Sequence, residues 1–241
     1  MDYEPTTSGN KHQLTIKQHY HLKAILRRFA NSAGRVKVVT KPFGTTSYLG
    51  LANQRFIGKR AWSQEFESAI SWPIETAFLS EVEKLEAGAP IANHGAISDY
   101  HLLWALRHHF ALNPLEEAEI YPGMSGQMDT ELEELVESMH KVPFNNGRIA
   151  GRFHTTAALK ELLKHPDNLS NYEGIKWNVI RSDSERFISA DQYRDKLIMP
   201  LSPRLLLHAS HELKSDRTVS AGDVTAYNAV STEQAEHFTF G

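Results

Sequence analysis

The sequence predicts an α+β fold, with a mainly helical N-terminal two-thirds and a small, mostly antiparallel sheet formed largely by the C-terminal third. Three observations lead there. Apolar residues recur at 3.6-residue spacing over much of residues 71 to 165, short partly alternating runs follow after residue 174, and the regular strand-helix alternation of a doubly wound sheet is missing. At 41% apolar and 23% charged residues, a chain of 241 residues has enough apolar side chains for a real core. With no internal repeat or low-complexity tract to mark a boundary, residues 17–241 read as one domain behind a flexible segment, 1–16.

The elements follow in order. Residues 20 to 31 form a short helix stopped between Asn31 and Gly34, and RVKVVTK alternates basic with apolar residues as a half-exposed strand does. PFGTT is a turn and SYLGLAN a second, weaker strand. Ser71 can cap the next helix, with Pro73 in its first turn and Ile74, Ala77, Phe78, Val82 and Leu85 on one face. Glu81 falls within that apolar stripe, where an unpaired carboxylate is costly. A helix over Asp99–Phe110, capped by Ser98, turns Leu102, Leu103, Leu106 and Phe110 inward. TELEELVESMHK buries Leu132, Leu135, Val136 and Met139 beneath exposed glutamates, and HTTAALKELLKH runs until Pro166. IKWNVIRS, RFISAD and KLIMPLSPRLLLHAS supply the sheet, and GDVTAYNAVSTEQAEHF closes the chain as a helix.

Composition excludes several chemistries. Without cysteine there is no disulfide, thiolate metal site or cysteine nucleophile. No apolar run approaches the roughly 18 residues that cross a bilayer, and the start lacks a signal-peptide pattern, so a cytoplasmic protein without membrane contact is expected. Neither a P-loop, a dinucleotide fingerprint, GxSxG nor HExxH occurs. Thirteen histidines invite a metal, but none of their spacings forms a ligand set. His101 and His108 share a helix face about 10 Å apart, too far to chelate one ion. No metal and no cofactor are expected.

Charge is unevenly spread. Residues 1–60 hold eleven Lys or Arg against Asp2 and Glu4, a surplus of nine positive charges; residues 61–241 hold 15 Lys or Arg against 27 acids, a deficit of twelve. Such a basic segment can meet nucleic-acid phosphates, with Arg27, Arg28, Arg35 and Lys37 as the contacts, or it can dock on the chain's own acidic helices. Glu75 and Glu81, six residues apart, are secondary polar candidates: a carboxylate pair at a cleft, or salt-bridge partners of the basic segment.

Several stretches resemble a bacterial domain-of-unknown-function family, DUF 4238. KQHYHLKAILRRFAN looks like its N-terminal His-His-Tyr motif, WPIETAFLSEVEKLE its glutamate-bearing helix, and DYHLLWALRHHF its arginine-ending helix. KWNVIRSDSERFISADQY with IMPLSPRLLL is similar to its tryptophan strand, Asp loop and Pro-Leu-Ser-Pro segment, and VTAYNAVSTEQAEHFTF to its closing helix. The likeness covers roughly residues 17 to 240. Gln18, Leu22, His108, His109, Ala190, Gln192 and Tyr193 depart from the pattern. The family is uncharacterised, so the resemblance implies no established activity; it suggests a setting in phage or mobile-element conflict.

Among the matching positions, His19, Arg107 and Asp191 are the polar residues suited to converge as catalytic groups. The histidine is a general acid or base, the arginine a holder of phosphate or oxyanion, and the aspartate an orienter. The leading expectation is a nucleic-acid-acting effector, an RNA-cleaving toxin or phage-defence protein with metal-independent nuclease chemistry. The alternative is a non-enzymatic binding or regulatory protein in which the His-Arg-Asp set is structural. A protein partner is not identified by the sequence.

Overall fold

The structure is a computed structural model that describes residues 5–194, 196–214 and 216–241. The first four residues of the expected flexible segment lie outside the described residues. Within 5–16, Leu14 is buried and the Thr7 backbone N–H and hydroxyl both donate to Glu134 at 2.6 Å.

The chain opens with β1 (Lys17–His19) and α1 (Lys23–Arg28), then the hairpin β2 (Arg35–Thr40) and β3 (Thr45–Gly50), and β4 (Ile57–Lys59). Two long helices follow, α2 (Trp72–Glu86) and α3 (His94–Leu112). After them come β5 (Ala118–Glu119), α4 (Thr130–Ser138), β6 (Arg148–Ile149), α5 (Gly151–Leu162) and α6 (Pro166–Ser170). The remainder is β7 (Lys176–Arg181), β8 (Ser189–Ala190), β9 (Ile198–Ser202), β10 (Leu205–Ser210), β11 (Arg217–Thr218), α7 (Ala221–Gln234) and β12 (Phe238–Phe240).

The fold is α+β overall, but the expected division into a helical N-terminal two-thirds and a C-terminal sheet is overturned. Among the described residues, strands run from residue 17 to residue 240 in four small sheets: β1-β4, β5-β6, β11-β7-β10-β9 and β3-β2-β12-β8. The last of these joins the N-terminal hairpin to the far end of the chain, Phe238 pairing with Thr40 and Phe240 with Val38. β1, β4, β5, β6, β8, β11 and β12 are two or three residues long, too short for alternation to show in a sequence. The β7-β10-β9 ladder is antiparallel, as expected, while β11 adds to β7 in parallel.

Several element boundaries are also corrected. His19 belongs to β1, and α1 is confined to six residues with Ile25 and Leu26 fully buried. Ser71 does not cap α2; it ends a π-helical turn, Phe66–Ser71, that runs directly into that helix. Asn93 caps α3 by accepting from the Ala96 N–H at 3.0 Å, whereas Ser98 lies inside the helix and accepts from the Trp177 indole N–H at 2.9 Å. α4 is turned the other way from its expected stripe: Glu134 and Glu137 are buried, and Leu132, Leu135 and Met139 are exposed. The closing helix stops at Gln234, so Phe238 and Phe240 become strand residues.

The main core gathers residues from Tyr20 to Phe240, and a smaller cluster joins Ile180, Phe187, Leu206, Val219 and Val224. Phe78 of α2 stacks on Tyr100 of α3 with ring centroids 4.0 Å apart, and Trp62, Trp104 and Trp177 are all essentially fully buried around this pair and the two larger sheets. α3 is buried on most of its circumference, walled in on several sides.

Candidate nucleic-acid interface

His19, Arg107 and Asp191 are placed by three different elements, and α3 is what relates them. Tyr100, Trp104, Arg107 and His108 fall at i, i+4, i+7 and i+8, one face of that helix. Arg107 is 1% exposed. One guanidinium N–H donates to Glu75 at 2.5 Å and another to the His19 carbonyl. The guanidinium also lies 5.0 Å from the Trp62 ring centroid, and Glu67 stands 4.0 Å from it while accepting from the Trp62 indole at 2.6 Å. Burial works against the Arg107 charge, yet Glu75 and Glu67 outweigh it and hold the pKa above the usual arginine value. Burial raises the Glu75 carboxyl despite the facing guanidinium.

The π turn explains why two glutamates eight residues apart reach one arginine. In an uninterrupted α-helix, eight residues overshoot two turns by about 80°. A wider turn turns the chain less per residue, so Glu67 and Glu75 come close to one line along the helix.

The His19 ring has its own hydrogen-bond partner. Its Nε2 lies 2.9 Å from the Leu51 carbonyl, and burial lowers its pKa. Asp191 is 0% exposed, and its carboxylate accepts the backbone N–H groups of Glu236 and His237 at 2.8 Å and of Phe238 at 3.3 Å. Its carbonyl accepts from the Trp104 indole at 3.1 Å, and His108 Nε2 stands 3.5 Å from Oδ2. Arg107 therefore meets His19 through main chain, and Asp191 reaches α3 through Trp104 and His108. The arrangement ties β1, α2, α3 and the turn before β12 together. It gives the His19 ring neither the guanidinium nor the aspartate as a direct partner.

Glu81 does not share the Glu75 surroundings. Buried in α2, it accepts from Lys84 at 2.6 Å and from the Ala92 and Asn93 N–H groups at 2.8 and 3.1 Å, fixing the turn into α3. Burial opposes its charge, but these three donors outweigh it and lower the pKa.

The basic segment divides in two. Arg28 is committed to Glu86 through two bonds of 2.7 and 3.0 Å, and Arg27 is exposed at the end of α1. Arg35 and Lys37 instead stand on the outer face of β2, because Val36 and Val38 between them are fully buried. Register places Tyr48 of β3 beside Lys37, on the same face. With Arg186, just before β8, these residues line a groove of about 700 Å³ whose floor includes Phe29, Thr239 and Phe240. No Asp or Glu side chain lines it, and among the described residues no carboxylate pairs with Arg35, Lys37 or Arg186.

Sequence reasoning singled out Arg35 and Lys37 but missed Tyr48 and Arg186. Tyr48 carried a signal, since a hairpin closed over Lys41–Gly44 sets it opposite Lys37; Arg186 carried none, because its approach to β2 depends on β12 lying between β2 and β8. Glu67 and Trp62 were missed for want of any sequence mark of a π turn. Among the described residues, no three His, Asp or Glu side chains are grouped as a metal site, and no helix is long and apolar enough to cross a membrane. Compared with protein-family models, curated proteins and solved structures, the chain gives no match in any of the three. The resemblance to DUF 4238 rests on its motifs alone.

Proposed function

We propose that this chain is a binding protein for single-stranded nucleic acid, held on the outer face of the β3-β2-β12-β8 sheet. The observation that carries the reading is the groove itself: three cations that have no carboxylate partner among the described residues, around a Tyr48 that is 54% exposed. Lys and Arg neutralise phosphates irrespective of sequence, and an exposed aromatic on a sheet offers a stacking surface to an unpaired base. A duplex keeps its base faces stacked internally and cannot use such a ring. His19, Arg107 and Asp191 are, in this reading, the frame that holds the platform, since the bonds of Arg107 and Asp191 are made within the protein. Binding without cleavage is accordingly the favoured function.

Fluorescence anisotropy with labelled single-stranded RNA, single-stranded DNA and duplex tests this. Single strands are expected to bind more tightly than duplex. Lys37→Ala and Arg186→Ala should each flatten the salt dependence by about one unit of slope, and Tyr48→Ala should cost about 1–3 kcal/mol. Absence of binding, or binding indifferent to all three changes, overturns the proposal. Cleavage that disappears in a folded His19→Ala variant would replace it with a nuclease.

A further inference from the structure

We propose that α4 is a self-association helix, pairing antiparallel with α4 of a second copy of this chain across a two-fold axis near Leu135. The starting point is that the helix is inside out. Its acidic face is buried: Glu137 accepts from Arg60 at 2.7 Å, from Arg152 at 2.9 Å and from the Gln64 N–H at 3.2 Å, and Glu134 accepts twice from Thr7. Its apolar face is in water. Leu132, Leu135 and Met139, spaced three and four apart on one stripe, are 45%, 42% and 54% exposed. A loop pinned to α4 carries further exposed apolar side chains. Tyr121 and Phe144 are both exposed with ring centroids 5.7 Å apart, and neighbouring Asn145 bonds Met128 and Glu133.

The charge layout names the occupant. Asp129 caps the start of α4, and Lys141 lies just beyond its end; both are exposed, and among the described residues neither has an ion-pair partner. They stand at opposite ends of the helix. An antiparallel two-fold near Leu135 sets Leu135 against Leu135 of the other copy, with Leu132 and Met139 of both copies flanking that pair, and turns the acidic end of each helix, at Asp129, toward the basic end of the other, at Lys141. One axis thus satisfies the apolar stripe and the charged ends together, which is what an isologous contact requires. Antiparallel packing also opposes the two helix dipoles. A helix of nine residues offers a short contact, so the dimer should depend on concentration.

The test is the oligomeric state of the full chain by sedimentation across a wide concentration range, with cross-linking as the second measurement. Wild type is expected to pass from monomer to dimer. Leu135→Glu should remain monomeric with an unchanged circular dichroism spectrum, since residue 135 is on the surface. Lys141→Glu should weaken association several-fold by facing Asp129 of the other copy, and adding Asp129→Asn, which keeps a capping side chain, should recover part of it. Because the chain has no cysteine, Leu135→Cys treated with a short bis-maleimide should give a covalent dimer, while Thr225→Cys on exposed α7 should not. If Leu135→Glu fails to fold, the cysteine pair still decides. A wild type monomeric at every concentration, or a dimer that survives Leu135→Glu and does not cross-link at 135, overturns the proposal.

Discussion

His21 shows what burial does to one titratable ring. It stacks on Trp104 with centroids 4.0 Å apart, meets the Tyr100 hydroxyl at 2.7 Å through Nδ1, and is pushed down to a pKa of about 3 by loss of water, with the nearby Arg107 charge adding to the effect. His101, against Tyr172 and Trp177, is pushed down to about 4 by burial alone. Both folded values lie below the unfolded value near 6.5, so below that pH the unfolded chain takes up more protons than the folded one. Stability should fall as pH drops from about 6.5 towards 4, by up to about 1.4 kcal/mol per pH unit for each ring. Glu75 and Asp99, whose values are raised by burial, offset part of this loss. Urea unfolding at pH 7 and pH 5 checks it, and His21→Asn should shrink the difference; equal stability at the two pH values would refute it. Arg107 makes the complementary case. Arg107→Ala leaves Glu75 and Glu67 without their cation and the His19 carbonyl without a donor, and should lower stability by about 3–5 kcal/mol. Glu75→Gln should cost less in the same urea assay, because it leaves no carboxylate unpaired at that position. Arg107 and Glu75 were both legible as residues to test, and they meet. The partners of Asp191 were not, since backbone N–H groups 45 residues away carry no side-chain mark.

At the level of elements, legibility followed length. α2 and α3 are long enough for periodicity to show which face turns inward: Phe78, Val82 and Leu85 of the first and Leu102, Leu103 and Phe110 of the second are buried as expected, Ile74 and Leu106 are half-buried, and Ala77 is exposed. α4 has equally clear periodicity and was read backwards. Its leucines form a good stripe, but Arg60 and Arg152 attract Glu137, and buried ion pairs between distant segments do not show in a helix's own pattern. Glu137→Ala removes the carboxylate shared by these two buried arginines and is expected to cost about 3–5 kcal/mol. Leu132→Ala, at an exposed position, should change monomer stability by less than about 0.5 kcal/mol. Chemical denaturation at a concentration where the chain is monomeric distinguishes these, and the reverse ranking would mean that the leucine stripe is the buried one. The π turn was illegible for a different reason: it changes helical phase without changing composition.

For the molecule as a whole, the cations of the basic N-terminal quarter divide into two groups. Some of its cations are held by the protein's own acids, as Arg28 by Glu86, Lys11 by Glu131 and Arg60 by Glu137. Others, Arg35 and Lys37, remain around the groove. The charge imbalance was plain from residue counts, but the division depended on the fold. The sheet beneath the groove joins Val38 to Phe240, residues about two hundred positions apart, and pairings of such sequence separation form slowly because a large loop must close first. Secondary structure and the proposed recognition should therefore appear at different times. In stopped-flow refolding, the helical signal at 222 nm is expected to recover before the capacity to quench a labelled single strand. Simultaneous recovery would show that the platform forms with the helices. A chain caught between these stages would display its helical segments with the groove still unfinished, so the strand that closes the chain also sets a clock on when the floor of the groove is in place.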